Sequence, residues 1–310
     1  MIRWQPWRAA ASAAAVLFSL PACAPAQAGS QPAPAATRRV PTFESRIAPF
    51  PVAAADGSAI AHPFLGGFDV PRPQLVDIDL DGDLDLFVQE RSGELIFFER
   101  DAGAWHWLTD RFQDLEIGEW YRFFDLDGDG DPDLLGERPY SYVRAWLNQG
   151  GRGAPRFVLA ADSLRGADGT PIFADRQNIL NLADIDCNGR LDLFLGRVTG
   201  TVDRFEAGPT PGPDGLPRFR LVTERWEGIE ILGPVPGQPA APFTPGPTMH
   251  GANTMAFGDP DGDGDLDLFW GDFFEEGLLL IRNDGGCPHY SFRGVPQRFP
   301  VADPLLTSGY

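Results

Sequence analysis

The sequence contains no lysine, so all 25 of its basic side chains are arginine. They are spread along the chain and stand against 44 acidic residues, which gives a net charge of −19 at pH 7. Proteins that bind nucleic acid usually concentrate basic residues in a patch or stripe. No such patch occurs in the sequence, and we expect no nucleic-acid partner.

Cysteine and long apolar runs are also scarce. The three cysteines are too few for a disulfide framework, and the sequence leaves open whether Cys187 and Cys287 pair. After Leu20 no apolar run is long enough for a transmembrane helix. The length instead suits one large folded domain.

Motifs for catalysis are absent. The four histidines, His62, His106, His250 and His289, are scattered and accompany no nucleophile. The sequence has no Gly-x-Ser-x-Gly elbow, no His-Glu-x-x-His and no phosphate-binding loop. We therefore do not expect an enzyme.

The N-terminus has the features of an export signal. Arg3 and Arg8 precede the short apolar run Ala9–Leu20, and small residues suited to cleavage follow. This predicts a signal peptide over residues 1–28, a Pro/Ala-rich linker over 29–42 and the folded domain over 43–310.

A second processing route fits the same segment. Leu20-Pro21-Ala22-Cys23 resembles a bacterial lipobox, in which case the signal ends at residue 22 and Cys23 carries a lipid anchor. Both routes export the chain. The expected location is therefore secreted, periplasmic or at the cell surface.

A ten-residue acidic pattern occurs four times, and we name the copies loops 1 to 4. Asp or Asn occupies positions 1, 3 and 5, Gly occupies position 6, and Asp occupies position 9 of every copy. The glycine, which has no Cβ, permits a tight turn with positive φ. The copies are loop 1 (Asp77–Leu86), loop 2 (Asp125–Leu134), loop 3 (Asp184–Leu193) and loop 4 (Asp259–Leu268).

Alternate carboxylates on a tightly turned backbone can point at one centre. Several charged oxygen ligands suit Ca²⁺, whereas Mg²⁺ keeps more of its waters. No Cys or His stands at a ligand position, which argues against zinc and copper. Position 7 varies and includes Arg190, so we expect its backbone carbonyl rather than its side chain to face the metal.

The EF-hand shares the first part of this pattern but requires a Glu at position 12. Position 12 is instead apolar or glycine, and the residues after position 9 form short apolar runs typical of buried strands. The loops therefore precede strands and are not EF-hands. The residues at position 12 are Val88, Gly136, Leu195 and Trp270.

The four D-x-D-x-D/N-G-x-x-D-L loops resemble those of the FG-GAP/VCBS repeat family, the calcium-binding β-propellers that include the integrin α-chain head. The resemblance covers roughly Phe68–Phe292, and it is closer to the bacterial branch because Gly196 and Gly271 are not followed by Ala-Pro. It implies Ca²⁺ as cofactor and sixteen ligands. These are Asp77, Asp79, Asp81 and Asp85; Asp125, Asp127, Asp129 and Asp133; Asp184, Asp186, Asn188 and Asp192; and Asp259, Asp261, Asp263 and Asp267.

About four short strands accompany each loop, which is the content of a propeller blade. The last strand of each blade is expected to carry an aromatic residue, at Trp105–Leu108, Arg156–Leu159, Arg218–Val222 and Tyr290–Phe292. The expected fold is all-β, a β-propeller of four-stranded blades with calcium loops. Four loops and the N-terminal segment Phe43–Phe68 give four to five blades, and we expect an incomplete propeller. Insertions at Asp162–Arg176 and Glu227–Gly251 are candidate binding elements or plain surface loops.

The negative charge is concentrated in the loops. They hold eighteen Asp and one Arg, whereas the remaining chain has 26 acidic residues and 24 Arg. Loop 3 has a net charge of −2 and the others −5 each. We therefore expect loop 3 to bind Ca²⁺ most weakly or not at all.

Three functions are compatible with the sequence. The first is an exported, calcium-binding module for adhesion or scaffolding that binds a surface protein or a glycan. The second is an accessory domain of a polysaccharide-degrading enzyme, for which Trp105, Trp107, Trp226 and His250 are candidate sugar contacts. The third is a structural spacer.

Overall fold

Four small antiparallel sheets follow one another along the chain, and each begins just before one of the acidic loops. The computed structural model describes residues 46–300, apart from 48, 69, 91–93, 140, 175–177, 230–252 and 273–276. The expected signal peptide, linker and Cys23 lie outside these residues. Most of the Glu227–Gly251 insertion and His250 also lie outside them.

Each sheet is a blade whose four main strands lie side by side in the order of the sequence, and one additional strand joins the sheet of blade 4. Blade 1 contains β1 (Arg72–Val76), β2 (Asp85–Gln89), β3 (Leu95–Asp101) and β4 (Ala104–Thr109). Blade 2 contains β5 (Tyr121–Phe124), β6 (Asp133–Arg138), β7 (Tyr142–Asn148) and β8 (Phe157–Ala161). Blade 3 contains β10 (Asn181–Ala183), β11 (Asp192–Gly196), β12 (Val202–Ala207) and β13 (Phe219–Thr223). Blade 4 contains β14 (Asn253–Gly258), β15 (Asp267–Asp272), β16 (Leu278–Ile281) and β17 (Gln297–Phe299), with β9 (Asn178–Ile179) parallel to β14.

The first strands of the blades approach one another. The Phe123 N–H of β5 donates to Gln74 Oε1 of β1 at 3.3 Å, and Asn181 Nδ2 of β10 donates to the Met255 carbonyl of β14 at 2.6 Å. Arg122 of β5 also contacts Thr254 of β14, from blade 2 to blade 4. The four blades therefore form a β-propeller with the first strands on the inside, as the sequence predicts.

Apolar side chains fill the space between successive blades. Three buried clusters join blade 1 to 2, blade 2 to 3 and blade 3 to 4. A short turn after the last strand of each of the first three blades adds one buried side chain to the cluster, namely Phe112, Leu164 or Trp226. Each fully buried side chain of this size stabilises the fold by about 1.5–3 kcal/mol.

The structure corrects one expectation at the edges of the blades and narrows two others. Segment Tyr290–Phe292 is not a strand; the last strand of blade 4 is Gln297–Phe299, and Phe292 packs between blades 3 and 4. The described part of Phe43–Phe68 forms only the bridge Ala53–Ala59, so it adds no fifth blade. The Asp162–Arg176 insertion buries Leu164, Ile172 and Ala174 in the cluster between blades 2 and 3. This part of the insertion therefore contributes to the core.

Candidate metal centres

Each acidic loop joins the first strand of a blade to the second. The glycine at position 6 has positive φ in all four loops: +106° at Gly82, +94° at Gly130, +79° at Gly189 and +93° at Gly264. Side chains other than glycine rarely adopt these angles. The positive φ values confirm the prediction that this glycine permits the tight turn of the loop.

The Asp at position 1 shapes the turn by accepting backbone hydrogen bonds. In loop 2, Asp125 Oδ2 accepts from the Gly130 N–H at 3.0 Å and Oδ1 accepts from the Gly128 N–H at 2.7 Å. Loop 3 uses Asp184 in the same way, with the Gly189 N–H at 2.8 Å from Oδ2. The same bond from position 6 to position 1 occurs in loops 1 and 4. The turn is therefore built alike in all four blades.

Three carboxylates converge in each loop, with one oxygen of each within 4.8 Å of the others. Such clusters can hold a metal ion. Positions 1 and 3 belong to every cluster, position 5 completes it in loops 1 and 4, and position 9 completes it in loops 2 and 3. The clusters are Asp77, Asp79 and Asp81; Asp125, Asp127 and Asp133; Asp184, Asp186 and Asp192; and Asp259, Asp261 and Asp263. Of the expected Asp ligands, Asp85, Asp129 and Asp267 fall outside these sets of three.

The Asp at position 9 is buried and connects the loop to the third strand. Asp133 Oδ2 accepts from the Leu126 N–H at 2.9 Å, and its Oδ1 accepts from the Asn148 N–H at 2.7 Å. Burial raises the pKa of the Asp133 carboxyl to about 7, although these two hydrogen bonds lower it. Asp85 makes the same pair of bonds in blade 1, and its pKa is raised to about 6 for the same reason. Position 9 therefore connects the loop to the third strand in blades 1 and 2, and in loops 2 and 3 it also belongs to the carboxylate cluster.

Position 7 contributes a feature that the sequence analysis missed. In loops 1, 2 and 4 it is Asp, and one oxygen of each of Asp83, Asp131 and Asp265 is shielded from solvent without a hydrogen-bond donor among the described residues. Burial, followed by the carboxylate at position 5, raises the pKa of all three, to about 6 in Asp131. A shielded, unpartnered carboxylate oxygen is costly. These oxygens fit a bound cation.

Loop 3 contains a cation supplied by the chain itself. The Arg204 guanidinium of β12 donates to both oxygens of Asp192, at 2.9 Å and 3.0 Å, and to Asp186 Oδ2 at 2.6 Å. The Arg204 side chain is only 7% exposed. Arginine suits such multidentate pairing because its planar fork matches carboxylate geometry. The guanidinium therefore already neutralises positions 3 and 9 of loop 3.

Other polar groups of loop 3 are paired within the protein, although Asp186 Oδ1 is shielded from solvent without a donor among the described residues. Glu206 Oε1 accepts from Asn188 Nδ2 at 2.9 Å and pairs with Arg190 Nη2 at 2.8 Å. Cys187, at position 4, forms a disulfide with Cys287 in blade 4, with the Cα atoms 5.7 Å apart. This answers the question that the sequence left open. Loop 3 is thus tied to blade 4 by a covalent bond.

Loop 4 is intermediate between these two cases. Arg282 Nη1 contacts Asp267 Oδ2 at 3.0 Å and also pairs with Asp261. Its side chain is 36% exposed, in contrast to the buried Arg204. Asp267 lies opposite Arg282 when the register of β15 and β16 is extended by one residue, so the register of the strands would have identified this pair.

A groove lies between loops 2 and 3, with a cavity volume of about 390 Å³. It is lined by carboxylates from both loops and by Arg190. Pro209, Pro211 and Pro217 also line it. A ligand in this groove would contact blades 2 and 3 together.

The expected sugar-contacting aromatic residues do not share one exposed surface. Trp226 is 1% exposed and packs between blades 3 and 4, so its candidacy is wrong. Trp105 and Trp107 lie on β4. Trp105 is exposed beside Arg100, and Trp107 packs against a small buried cluster of blade 1 formed by Val88, Ile96 and Phe98. The fourth candidate, His250, lies outside the described residues.

No family model and no curated protein matches the chain. Among solved structures, the chain is similar to a lectin from Agrocybe aegerita that specifically recognises non-reducing terminal N-acetylglucosamine. The identity is 21%, the TM-score 0.40, and the match covers 78% of this chain and 56% of the lectin. It is also similar to BBS1N, solved in complex with ARL6DN, at 13% identity and a TM-score of 0.32 over 73% of this chain and 58% of that one. The chain thus matches less than two thirds of the length of either structure. Within the residues described, no helix has both the length and the apolar character needed to cross a membrane.

Proposed function

We propose that the chain is an exported, calcium-stabilised β-propeller that acts as a binding module at the cell surface, for a surface protein or a glycan. The observation that carries this proposal is the repeated position 7 oxygen. In loops 1, 2 and 4 this oxygen is shielded from solvent, lies beside converging carboxylates and has no hydrogen-bond donor among the described residues. In loop 3, position 7 is Arg190, and the Arg204 guanidinium lies within the carboxylate cluster.

Calcium is the cation that best suits these loops. Their ligand atoms are carboxylate oxygens, which are hard donors, and each of loops 1, 2 and 4 offers five acidic side chains. Bound there, Ca²⁺ would neutralise the mutual repulsion of the carboxylates and join the first and second strands of the blade. The ligands would be the side chains at positions 1, 3, 5 and 9, with those at position 7 also available. We expect Kd values of roughly 10⁻⁴–10⁻³ M, as in extracellular calcium modules.

Export is supported by the disulfide as well as by the N-terminal sequence. The Cys187–Cys287 bond fits an oxidising compartment, because cytosolic thiols are kept reduced in most organisms. Such compartments also contain the millimolar calcium that weak sites require. We therefore propose a secreted, periplasmic or surface location, with Cys23 as an anchor if the lipid route is used.

The distribution of tryptophan separates the binding candidates. A sugar platform built from Trp105, Trp107 and Trp226 is not supported, because one of the three is buried between blades. The groove between loops 2 and 3 is a better candidate surface, since it combines carboxylates, an arginine and rigid proline walls. We propose this groove as the binding surface of the module.

Thermal unfolding with and without calcium tests the proposal. At 10 mM Ca²⁺, a site with Kd of 10⁻³–10⁻⁴ M adds about 1.4–2.7 kcal/mol to the free energy of unfolding. We expect the mature chain to show a large rise in Tm when EGTA is replaced by Ca²⁺, and no comparable rise with Mg²⁺. An unchanged Tm would contradict the proposal.

A matched pair of variants assigns the effect to particular loops. Asp127→Asn removes a charge at position 3 of loop 2 and should reduce the calcium-dependent rise in Tm. Asp186→Asn makes the same change in loop 3, where Arg204 already occupies the carboxylates. It should alter stability in EGTA while leaving the calcium-dependent rise intact. Equal losses in both variants would show that loop 3 binds calcium as well.

A further inference from the structure

Two arginines lie among the first strands of the blades without a carboxylate partner. Arg72 begins β1, and Arg122 is the second residue of β5. The two strands are close at this end, because the Tyr121 hydroxyl donates to the Arg72 carbonyl at 2.8 Å. No carboxylate in the described part of the chain pairs with either guanidinium. This contrasts with Arg204 and Arg282, which both pair with loop carboxylates.

Among the described residues, the Arg122 guanidinium makes two long hydrogen bonds. Its Nη1 donates to the Tyr121 carbonyl at 3.3 Å, and its Nη2 donates to Thr254 Oγ1 at 3.4 Å. Burial lowers the pKa of Arg122; the Tyr121 hydroxyl opposes this change, and the neighbouring Arg72 cation adds to it. The effect of Arg72 on Arg122 is that of a like charge, which an anion bound nearby would offset.

Arg72 provides the second observation. Its Nη1 is shielded from solvent and has no acceptor among the described residues. A guanidinium donor buried without an acceptor costs free energy that an exposed arginine would not pay. Gln89 lies opposite Arg72 in the register of β1 and β2 and is fully buried. Its Nε2 donates to the Gly118 carbonyl at 2.6 Å, and its neutral side chain offers Arg72 no counter-charge.

The position of this pair in the blades is opposite to that of the acidic loops. Arg72, Arg122 and Thr254 occupy the first two positions of their strands, whereas the loops begin after Val76, Phe124 and Gly258, at the other ends. Arg72 and Arg122 therefore lie at the ends of the inner strands opposite the concentrated negative charge of the loops. An anion can approach Arg72 and Arg122 without meeting the loop carboxylates.

We propose that Arg72 and Arg122, with Thr254, form a binding site for an oxyanion group at the end of the inner strands opposite the acidic loops. The group is a sulfate, phosphate or carboxylate, to which guanidinium forks donate paired hydrogen bonds. An acidic or sulfated sugar would present such a group. The site is independent of calcium, because none of its residues belongs to a loop.

The test is calorimetric titration of the mature chain with sodium sulfate, at ionic strength held constant with sodium chloride. Parallel titrations use galactose 6-sulfate and galacturonate, which distinguish a sulfate ester from a carboxylate. Each is performed in EGTA and again in Ca²⁺. We expect saturable binding of at least one oxyanion with equal affinity in both conditions.

Arg72→Gln and Arg122→Gln should each weaken binding about tenfold or more, since hydrogen bonds to charged groups contribute about 1.5–3 kcal/mol. The matched control is Arg152→Gln, which removes an exposed arginine in the turn before β8 and should bind as the parent chain does. If one variant fails to fold, the other provides the result. Saturable binding that survives both substitutions, or no saturable binding of any probe, would overturn the proposal. General stabilisation by sulfate is not saturable and does not depend on these residues.

Discussion

Loops 2 and 3 have the same backbone construction and opposite solutions to the same electrostatic problem. Both begin with an Asp that accepts from the Gly at position 6, and both end with a buried Asp at position 9. Loop 2 has five carboxylates, and no arginine of the described residues pairs with them. Loop 3 has fewer carboxylates, and Arg204 lies among them. The two loops therefore share their backbone hydrogen bonds and differ in the counter-charge that the described residues supply.

The comparison separates the groups that shape each loop from the groups that could hold a cation. The turn is set by hydrogen bonds to position 1, and the connection to the third strand is set by position 9 in loops 1, 2 and 4. In loop 3 the Arg204 Nε takes the place of that backbone N–H on Asp192 Oδ1. We infer that calcium and arginine are alternative counter-charges on one scaffold. Loop 4, with the half-exposed Arg282, lies between the two.

Removing the internal cation should have the largest effect. Arg204→Met leaves the buried Asp192 and its neighbour Asp186 without a counter-charge, which typically costs about 3–5 kcal/mol. Urea unfolding in EGTA measures this loss. Because the variant frees the loop 3 carboxylates, added Ca²⁺ should stabilise it more than it stabilises the parent chain.

The control for this experiment is Arg220→Met. Arg220 is exposed and contacts Glu206 only at 3.5 Å, and an exposed pair of this kind contributes little. Its stability and calcium response should match those of the parent chain. If Arg204→Met lost less than about 1 kcal/mol and gained no calcium response, arginine would not be the counter-charge of loop 3.

The disulfide offers a second comparison, between two pairs of blades. Loop 1 contacts the turn of blade 2 through the Gly153 N–H and the Asp79 carbonyl at 2.7 Å, whereas loop 3 reaches the turn of blade 4 through the Cys187–Cys287 bond. Cys287→Ser should cost about 2–4 kcal/mol, chiefly by freeing the unfolded chain over a separation of 100 residues. Urea unfolding of the variant should match that of the reduced parent chain. The calcium-dependent rise in Tm should be retained, and its loss would indicate that the crosslink supports a metal site.

Much of the fold could be predicted because its signals are local. Loop spacing, the glycine at position 6 and the apolar run after position 9 together identify the first two strands of every blade. The inter-blade turn is less visible, because Phe112, Leu164 and Trp226 differ in size and shape and lie in polar segments. This is why the sequence does not reveal that Trp226 is buried.

The candidate site was predictable in its loops and not in its counter-charges. The low charge of loop 3 singles it out in the sequence, but Arg190 at position 7 pairs with Glu206 rather than with the cluster. The cation in the cluster is Arg204, on a different strand, and only the register of β11 and β12 places it there. Identifying this pair requires the register of the hairpin, which the loop pattern alone does not give.

Loop 4 allows the smallest and most specific test of the comparison. Arg282 competes with any cation for Asp261 and Asp267, yet it is exposed enough to leave without burying a new charge. Arg282→Gln should therefore strengthen the weakest calcium-binding step about tenfold, equivalent to about 1.4 kcal/mol. Calorimetric titration with Ca²⁺ measures the change, with the exposed Arg293→Gln as a control for the loss of one positive charge. If the affinity of the weakest calcium-binding step were the same in Arg282→Gln and in the parent chain, Arg282 would move aside freely when calcium binds. Arginine would then exclude the metal only from a buried position such as that of Arg204.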